Sequence, residues 1–181
     1  LTDEKIVELV LSGHTEAFRE IVERYKSRIA ATVIGMLGNC PEAEDVGQEV
    51  FIRFYQNLKN FRGDSTVATY LTRIAINLSL NEIKKRKRST FFSGKNNGEF
   101  LEIEDTSGSK PYSDEKENVQ KAIKKLEPKY RIVVVLRMIE GYSTTETAEI
   151  LGLPLGTVLS RLARAQQKLK KILTPLIGEK V

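Results

Sequence analysis

The chain has 181 residues, enough for one large or two small domains, and carries 29 Lys and Arg against 24 Asp and Glu, a formal net charge of +5. No apolar run approaches the roughly 18 residues of a membrane span, no secretory signal pattern is visible, and Cys40 is alone, which excludes an internal disulfide and a multi-cysteine zinc site. His14 is the only histidine and lacks carboxylate–histidine ligand spacing, so no catalytic residue, metal or cofactor is expected, and the setting expected is cytoplasmic.

The hydrophobic pattern is helical nearly throughout. Glu4 to Leu11 predicts a short helix closed by Ser12-Gly13. Thr15 is expected to cap a long helix through Leu37, with Phe18, Ile21, Val22, Tyr25, Ile29 and Val33 at helical spacing. Gly38 ends it, and Pro41 opens the next helix where a missing N–H costs nothing. That third helix runs to about Leu58, with Val46, Val50, Phe51, Phe54 and Leu58 as its buried stripe. Lys59 to Ser65 reads as a loop, and a fourth helix spans about Thr66 to Arg88, ending in the basic run Lys84–Arg88.

Composition then changes. Ser89 to Ser113 is rich in Ser, Gly, Asn and acid, with seven acids against two lysines between Asn96 and Asn118. Such a segment forms no core of its own and reads as a flexible acidic linker, within which Phe91, Phe92, Phe100, Leu101 and Ile103 could dock on something. Helix resumes near Asp114 through Val119, Ile123 and Leu126, and again from Pro128 to Glu140 before Gly141. The fold class expected is all-α: two small helical domains, about 1–88 and 114–177, joined by that linker.

Ser143 to Leu173 carries the strongest signal. Ser143 with Glu146 makes a capping box, Gly152 stops the first helix, and Pro154 bars simple continuation. The second helix, from about Leu155 to Leu173, contains no acid; Val158, Leu162, Ala165, Leu169 and Ile172 form one stripe. Ser160, Ala163, Arg164, Gln167 and Lys171 lie opposite, flanked by Arg161 and Lys168. An apolar back with a basic, amide-bearing front suits a helix-turn-helix entering a DNA major groove, although a surface helix with a solvated basic face has the same pattern.

Several stretches together resemble a known family. Ala43-Glu44-Asp45-Val46-Gly47-Gln48-Glu49-Val50-Phe51 is similar to the AEDLxQExF signature of bacterial extracytoplasmic-function (ECF, group IV) sigma factors of the sigma-70 superfamily. Phe61 followed by Thr69 to Asn77 resembles that family's F…tWLyRIAxN block, Tyr130-Arg131 its LPxxyR block, and Leu153 to Ala165 its PxGTVkSRLxRA element. The resemblance implies an alternative sigma factor, with region 2 at 1–88, the linker at 89–113 and region 4 at 114–181. It also implies partners: core RNA polymerase through the β′ clamp helices and β flap, promoter DNA, and an anti-sigma factor of the kind that can be membrane-tethered.

Residue by residue, the resemblance assigns Asp45, Gln48, Glu49, Phe51 and Tyr55 to polymerase, and their spacing on one helix agrees. It assigns Asn60, Phe61, Arg62 and Asp64 to a loop that captures a flipped −10 base, with Tyr70, Arg73, Asn77, Asn81, Lys84 and Lys85 on the following helix. Tyr70 stands for the family's Trp, Val67 for its Phe, Asn81 for its Asp and Lys84 for its Arg, so melting power or sequence choice is expected to differ. For the −35 element, Arg164 with Ser160 and Gln167 are expected to read bases, and Thr157 and Arg161 to hold phosphates, with Lys168 and Lys171 on the basic face. Leu159 replaces a frequent Lys or Arg. The linker is expected to follow polymerase's RNA exit path or to serve as a passive tether. The competing function is a conventional helix-turn-helix regulator that binds duplex DNA alone; a recombinase would need an α/β domain, and the first 88 residues show no strand pattern.

Overall fold

The structure is a computed structural model that describes residues 1–92 and 114–178. The acidic segment, including Phe100, Leu101 and Ile103, lies outside the described residues. Every element described is helical.

Helix α1 (Asp3–Leu11) is capped by Thr2, whose side chain accepts from the Lys5 amide. Helix α2 (Phe18–Leu37) starts later than expected. Thr15 opens a 3-10 turn, in which the Ala17 amide bonds the His14 carbonyl at 3.1 Å, so it caps no helix of its own. At the other end Gly38 has φ +83°, and a Cβ there would lie 2.8 Å from the Lys124 side chain packed over it. The conformation is what demands glycine, since the flexible end of the Lys124 side chain can move aside.

Helix α3 (Pro41–Gln56) has its proline at the first position and gives way to a 3-10 turn over Leu58–Asn60. Helix α4 (Val67–Phe92) is capped by Thr66, whose hydroxyl accepts from the Thr69 amide at 3.1 Å. It continues past the expected end at Arg88. The basic run is accommodated because Arg86 turns back to Glu82 at 3.2 Å and Glu42 at 3.5 Å, which relieves repulsion among the lysines. Phe91 and Phe92 are therefore helical, and both are exposed.

Helices α5 (Asp114–Lys125), α6 (Pro128–Val134), α7 (Thr144–Leu151) and α8 (Leu155–Gly178) form the second domain. Between α6 and α7 the chain widens into a π-helical turn over Val135–Ile139, closed by the Glu140 amide on the Val135 carbonyl at 2.9 Å. Val119 and Ile139 are exposed.

Ile21, Ile29, Val33, Val50, Phe54, Leu71 and Ala75 fill the space among α2, α3 and α4. Ile123, Leu126, Val133, Leu136, Val158 and Ala165 do the same among α5 to α8. These two sets belong to one contiguous core. The domains therefore pack directly on one another, an arrangement that the sequence left open.

Candidate nucleic-acid interface

The helix-turn-helix is built as its sequence dictates. The Ser143 amide donates to the Glu146 carboxylate at 2.7 Å and the Glu146 amide to the Ser143 hydroxyl at 3.1 Å, completing the capping box. The Ser143 amide holds the Glu146 carboxyl below its usual range. Gly152 adopts the left-handed conformation with φ +61°, and the Leu153 amide returns to the Ala148 carbonyl at 3.0 Å. Helix α8 then starts afresh, its Thr157 amide bonding the Pro154 carbonyl at 3.0 Å.

Val158, Ala165 and Leu169 are buried, which turns Ser160, Ala163, Arg164, Gln167 and Lys171 to solvent. With no acid between Leu155 and Gly178, the helix itself brings only positive charge to that face. Leu155 and Leu159 are also exposed and give the face an apolar margin. Two expected contacts are placed differently. Lys168 reaches Glu127 at 3.3 Å and lies 5.4 Å from the Tyr130 ring, so it also serves packing within the domain. Arg161 is half-buried and lines a cleft with Arg73, Asn77, Leu80 and Glu149.

In the first domain, Asn60, Arg62 and Asp64 stand exposed on the loop before α4. Phe61 and Tyr70 do not stand free. Their rings meet edge-on at 5.3 Å, and each lies against the fully buried Phe54, at 5.6 and 5.5 Å. Along α4, Asn77, Asn81, Lys84 and Lys85 are exposed, whereas the Arg73 guanidinium donates to the Glu149 carbonyl at 2.9 Å. Arg86 interrupts the basic run, with Cys40 Sγ at 3.2 Å as a further partner.

On α3, Asp45 and Gln48 are exposed and Glu49 pairs with Arg53 at 2.7 Å. Phe51 is half-buried; Tyr55 is exposed, its ring meeting that of Phe18 edge-on with the centroids 5.0 Å apart. Ile52 is half exposed in the same outward row, four residues after Gln48 and seven after Asp45. Sequence reasoning missed it, although an apolar residue on an otherwise polar stripe is a readable signal of a contact surface.

Arg131 was read only as part of a motif, and the structure gives it a larger part. It is almost wholly buried, donating to the Met36 carbonyl at 2.6 Å, to the Leu126 carbonyl at 2.9 Å and to the Lys124 carbonyl. Burial draws its guanidinium down to about 10, which leaves it charged at neutral pH. Among the described residues no cluster of three or more His, Cys, Asp or Glu could hold a metal ion, and no helix is long and apolar enough to cross a membrane.

Comparison with known proteins agrees with this arrangement. The pattern for sigma-70 region 2 matches residues 21–89, and that for sigma-70 region 4 matches residues 116–169. The chain is 36% identical to the ECF RNA polymerase sigma factor SigW of Bacillus subtilis, over 95% of this chain and 97% of that one. It is 34% identical to the RNA polymerase sigma-H factor of Pseudomonas aeruginosa, over 98% and 96% respectively. Among solved structures it resembles the sigma factor RpoE in complex with the anti-sigma factor NepR from Bartonella quintana, with a TM-score of 0.69 and 25% identity over 87% of this chain and 96% of that one. It also resembles CnrH in complex with the cytosolic domain of CnrY, with a TM-score of 0.71 and 25% identity over 96% and 97%. With both regions in order and near full-length identity of this size, the chain belongs to the ECF sigma factors of the sigma-70 family.

Proposed function

We propose that this chain is an alternative sigma factor that binds core RNA polymerase and directs it to promoters by engaging a −10 and a −35 element. Carrying the reading is the occurrence, in one chain, of both sigma-70 regions, each with a polar helix face turned outward. The outer face of α3, with Asp45, Gln48, Glu49, Ile52 and Tyr55, contacts polymerase. The loop at Asn60 to Asp64 and the exposed side of α4 handle the −10 strand. In α8, Arg164, Ser160 and Gln167 read the −35 bases, while Lys171 and the helix start hold phosphates. The factor itself contributes binding and no catalytic residue; polymerase performs the chemistry. By analogy with RpoE held by NepR and CnrH held by the cytosolic domain of CnrY, an anti-sigma factor controls it. A membrane-tethered inhibitor would report an extracytoplasmic signal to a cytoplasmic sigma factor.

Run-off transcription with purified core polymerase over a genomic fragment library tests this reading. Discrete promoter-dependent transcripts, absent without the chain, are expected. Specific duplex binding by the chain alone, with no transcripts, would instead make it a conventional helix-turn-helix regulator.

A further inference from the structure

Two leucines break the pattern of α8. Leu155 and Leu159 are 47% and 51% exposed, although every other Val, Leu or Ile of the helix up to Leu173 is buried or half-buried. Four residues apart, they stand one above the other on the first two turns. At about 100° per residue, Leu159 lies about 40° from the exposed Ala163, while Arg161 and Lys168 fall on the opposite flank. The apolar margin is therefore continuous with the face assigned to the −35 element. Gly156 sits in the same two turns, three residues before Leu159 and four before Ser160. Its backbone is ordinary helix, and a Cβ there would meet nothing within 4 Å. Neither conformation nor packing calls for glycine, which weakens a helix relative to alanine. What it does provide is close approach from outside, beside Leu159.

The base edges that suit leucine are few. In the major groove guanine presents N7 and O6, adenine N7 and an amino group, and cytosine an amino group. Thymine presents a carbonyl and the one apolar group of the set, its C5-methyl. Leucine satisfies none of the polar atoms, and covering them without a partner is costly. A Lys or Arg, frequent at this position of the PxGTVkSRLxRA element, would favour guanine N7 and O6 instead. The pair is also small for a protein anchor. Together the two leucines expose about the area of one whole leucine, well short of the roughly 300 Å² of an apolar docking patch.

We propose that Leu159, supported by Leu155, is a specificity-determining residue that receives the C5-methyl group of a thymine in the −35 element. The chain then selects an A·T pair where the first two turns of α8 meet the groove, and rejects guanine there. This rests on the reading of α8 as the −35 reader.

Removing one methyl group at a time tests it. Run-off selection with core polymerase and the full chain supplies the preferred −35 sequence. Each of its thymines, on either strand, is then replaced singly by deoxyuridine, which lacks only that methyl group. At one thymine the holoenzyme should lose about fourfold in promoter affinity at fixed salt, the worth of one methyl group returned to water. Leu159→Ala should lose a similar factor on the thymine promoter and nothing further on the deoxyuridine promoter. Leu159→Met should keep the sensitivity, and Leu159→Arg should lose it and shift the selected base toward guanine. The deoxyuridine series on the unaltered chain cannot be mimicked by a folding defect. A selected element without an A·T pair, deoxyuridine harmless at every position, or further loss by Leu159→Ala on the deoxyuridine promoter would overturn the proposal. So would weaker binding of Leu159→Ala to core polymerase with promoter discrimination intact, which would make the leucines a protein contact. If the chain forms no holoenzyme, the sigma-factor reading fails, and the same series on duplex selected by the chain alone still decides the role of Leu159.

Discussion

The two candidate readers are built on opposite plans. In the first, the −10 loop leans on the core: Phe54 is fully buried, and Phe18, Phe61 and Tyr70 surround it at 6.0, 5.6 and 5.5 Å. In the second, Ser160, Arg164, Gln167 and Lys171 project from α8 while Val158, Ala165 and Leu169, with Leu162 and Ile172 beside them, do the packing. One reader shares its side chains between stability and recognition, and the other separates the two. Substitutions in the first should therefore disturb the fold, and substitutions in the second only the DNA complex.

The largest effect should come from Phe54→Ala. Removing a ring with no exposed surface should cost about 3–5 kcal/mol in urea denaturation, because the three surrounding rings cannot all collapse into the gap. Since one core runs through both domains, a single cooperative transition is expected. A cost below about 1 kcal/mol would mean that the cluster does not support the loop. Arg131→Ala should follow at about 3 kcal/mol, with Met36, Lys124 and Leu126 carbonyls left without their charged donor. Arg131→Lys should recover little of it, since an ammonium cannot reproduce the planar fork. Full recovery by lysine would reduce Arg131 to a point charge.

On the other plan, Arg164→Ala should leave the urea midpoint unchanged and cost about 1–3 kcal/mol at the cognate −35 sequence, with relaxed discrimination there. Equal losses on all sequences, with a shallower salt dependence, would make Arg164 a phosphate contact and move the reading of bases to Ser160 and Gln167.

What the sequence disclosed follows the same division. The turn of the helix-turn-helix and the starts of its two helices were legible, since the capping box, left-handed Gly152 and apolar stripe are all local signals, although α8 runs on to Gly178, beyond the expected end near Leu173. The outward rows of α3 and α8 were legible too, apart from Ile52, because periodicity alone fixes a face. Boundaries fared worse. Thr15 looked like a cap yet opens a 3-10 turn, and α4 outran its basic run because Arg86 found partners on α3 as well as α4. Least legible was everything that depends on the second domain meeting the first. Neither the packing of Val135 over Gly35 nor the turn of Arg73 toward Glu149 is encoded by any spacing within a single helix.

Glu140 is where the two plans touch, and it gives the smallest and most diagnostic prediction. It belongs to the second domain but is buried against the first, facing Arg28 and Thr32 of α2, with Arg137 and Tyr142 nearby in its own turn. Burial pushes its carboxyl above the ordinary 4.5, and Arg28 and Thr32 only partly offset this. A carboxyl with a raised folded-state pKa keeps its proton where the unfolded chain has lost it. The associated stability is present below 4.5 and is lost as pH rises through the folded value. Glu140→Gln cannot ionise, so it should be flat through that window. Wild type should therefore lose urea midpoint relative to Glu140→Gln between about pH 4 and pH 7, a comparison in which all other carboxylates cancel. If wild type gains instead, the Arg28 pair outweighs the cost of burying the charge, and Glu140 actively fastens the domains at neutral pH rather than merely being tolerated between them.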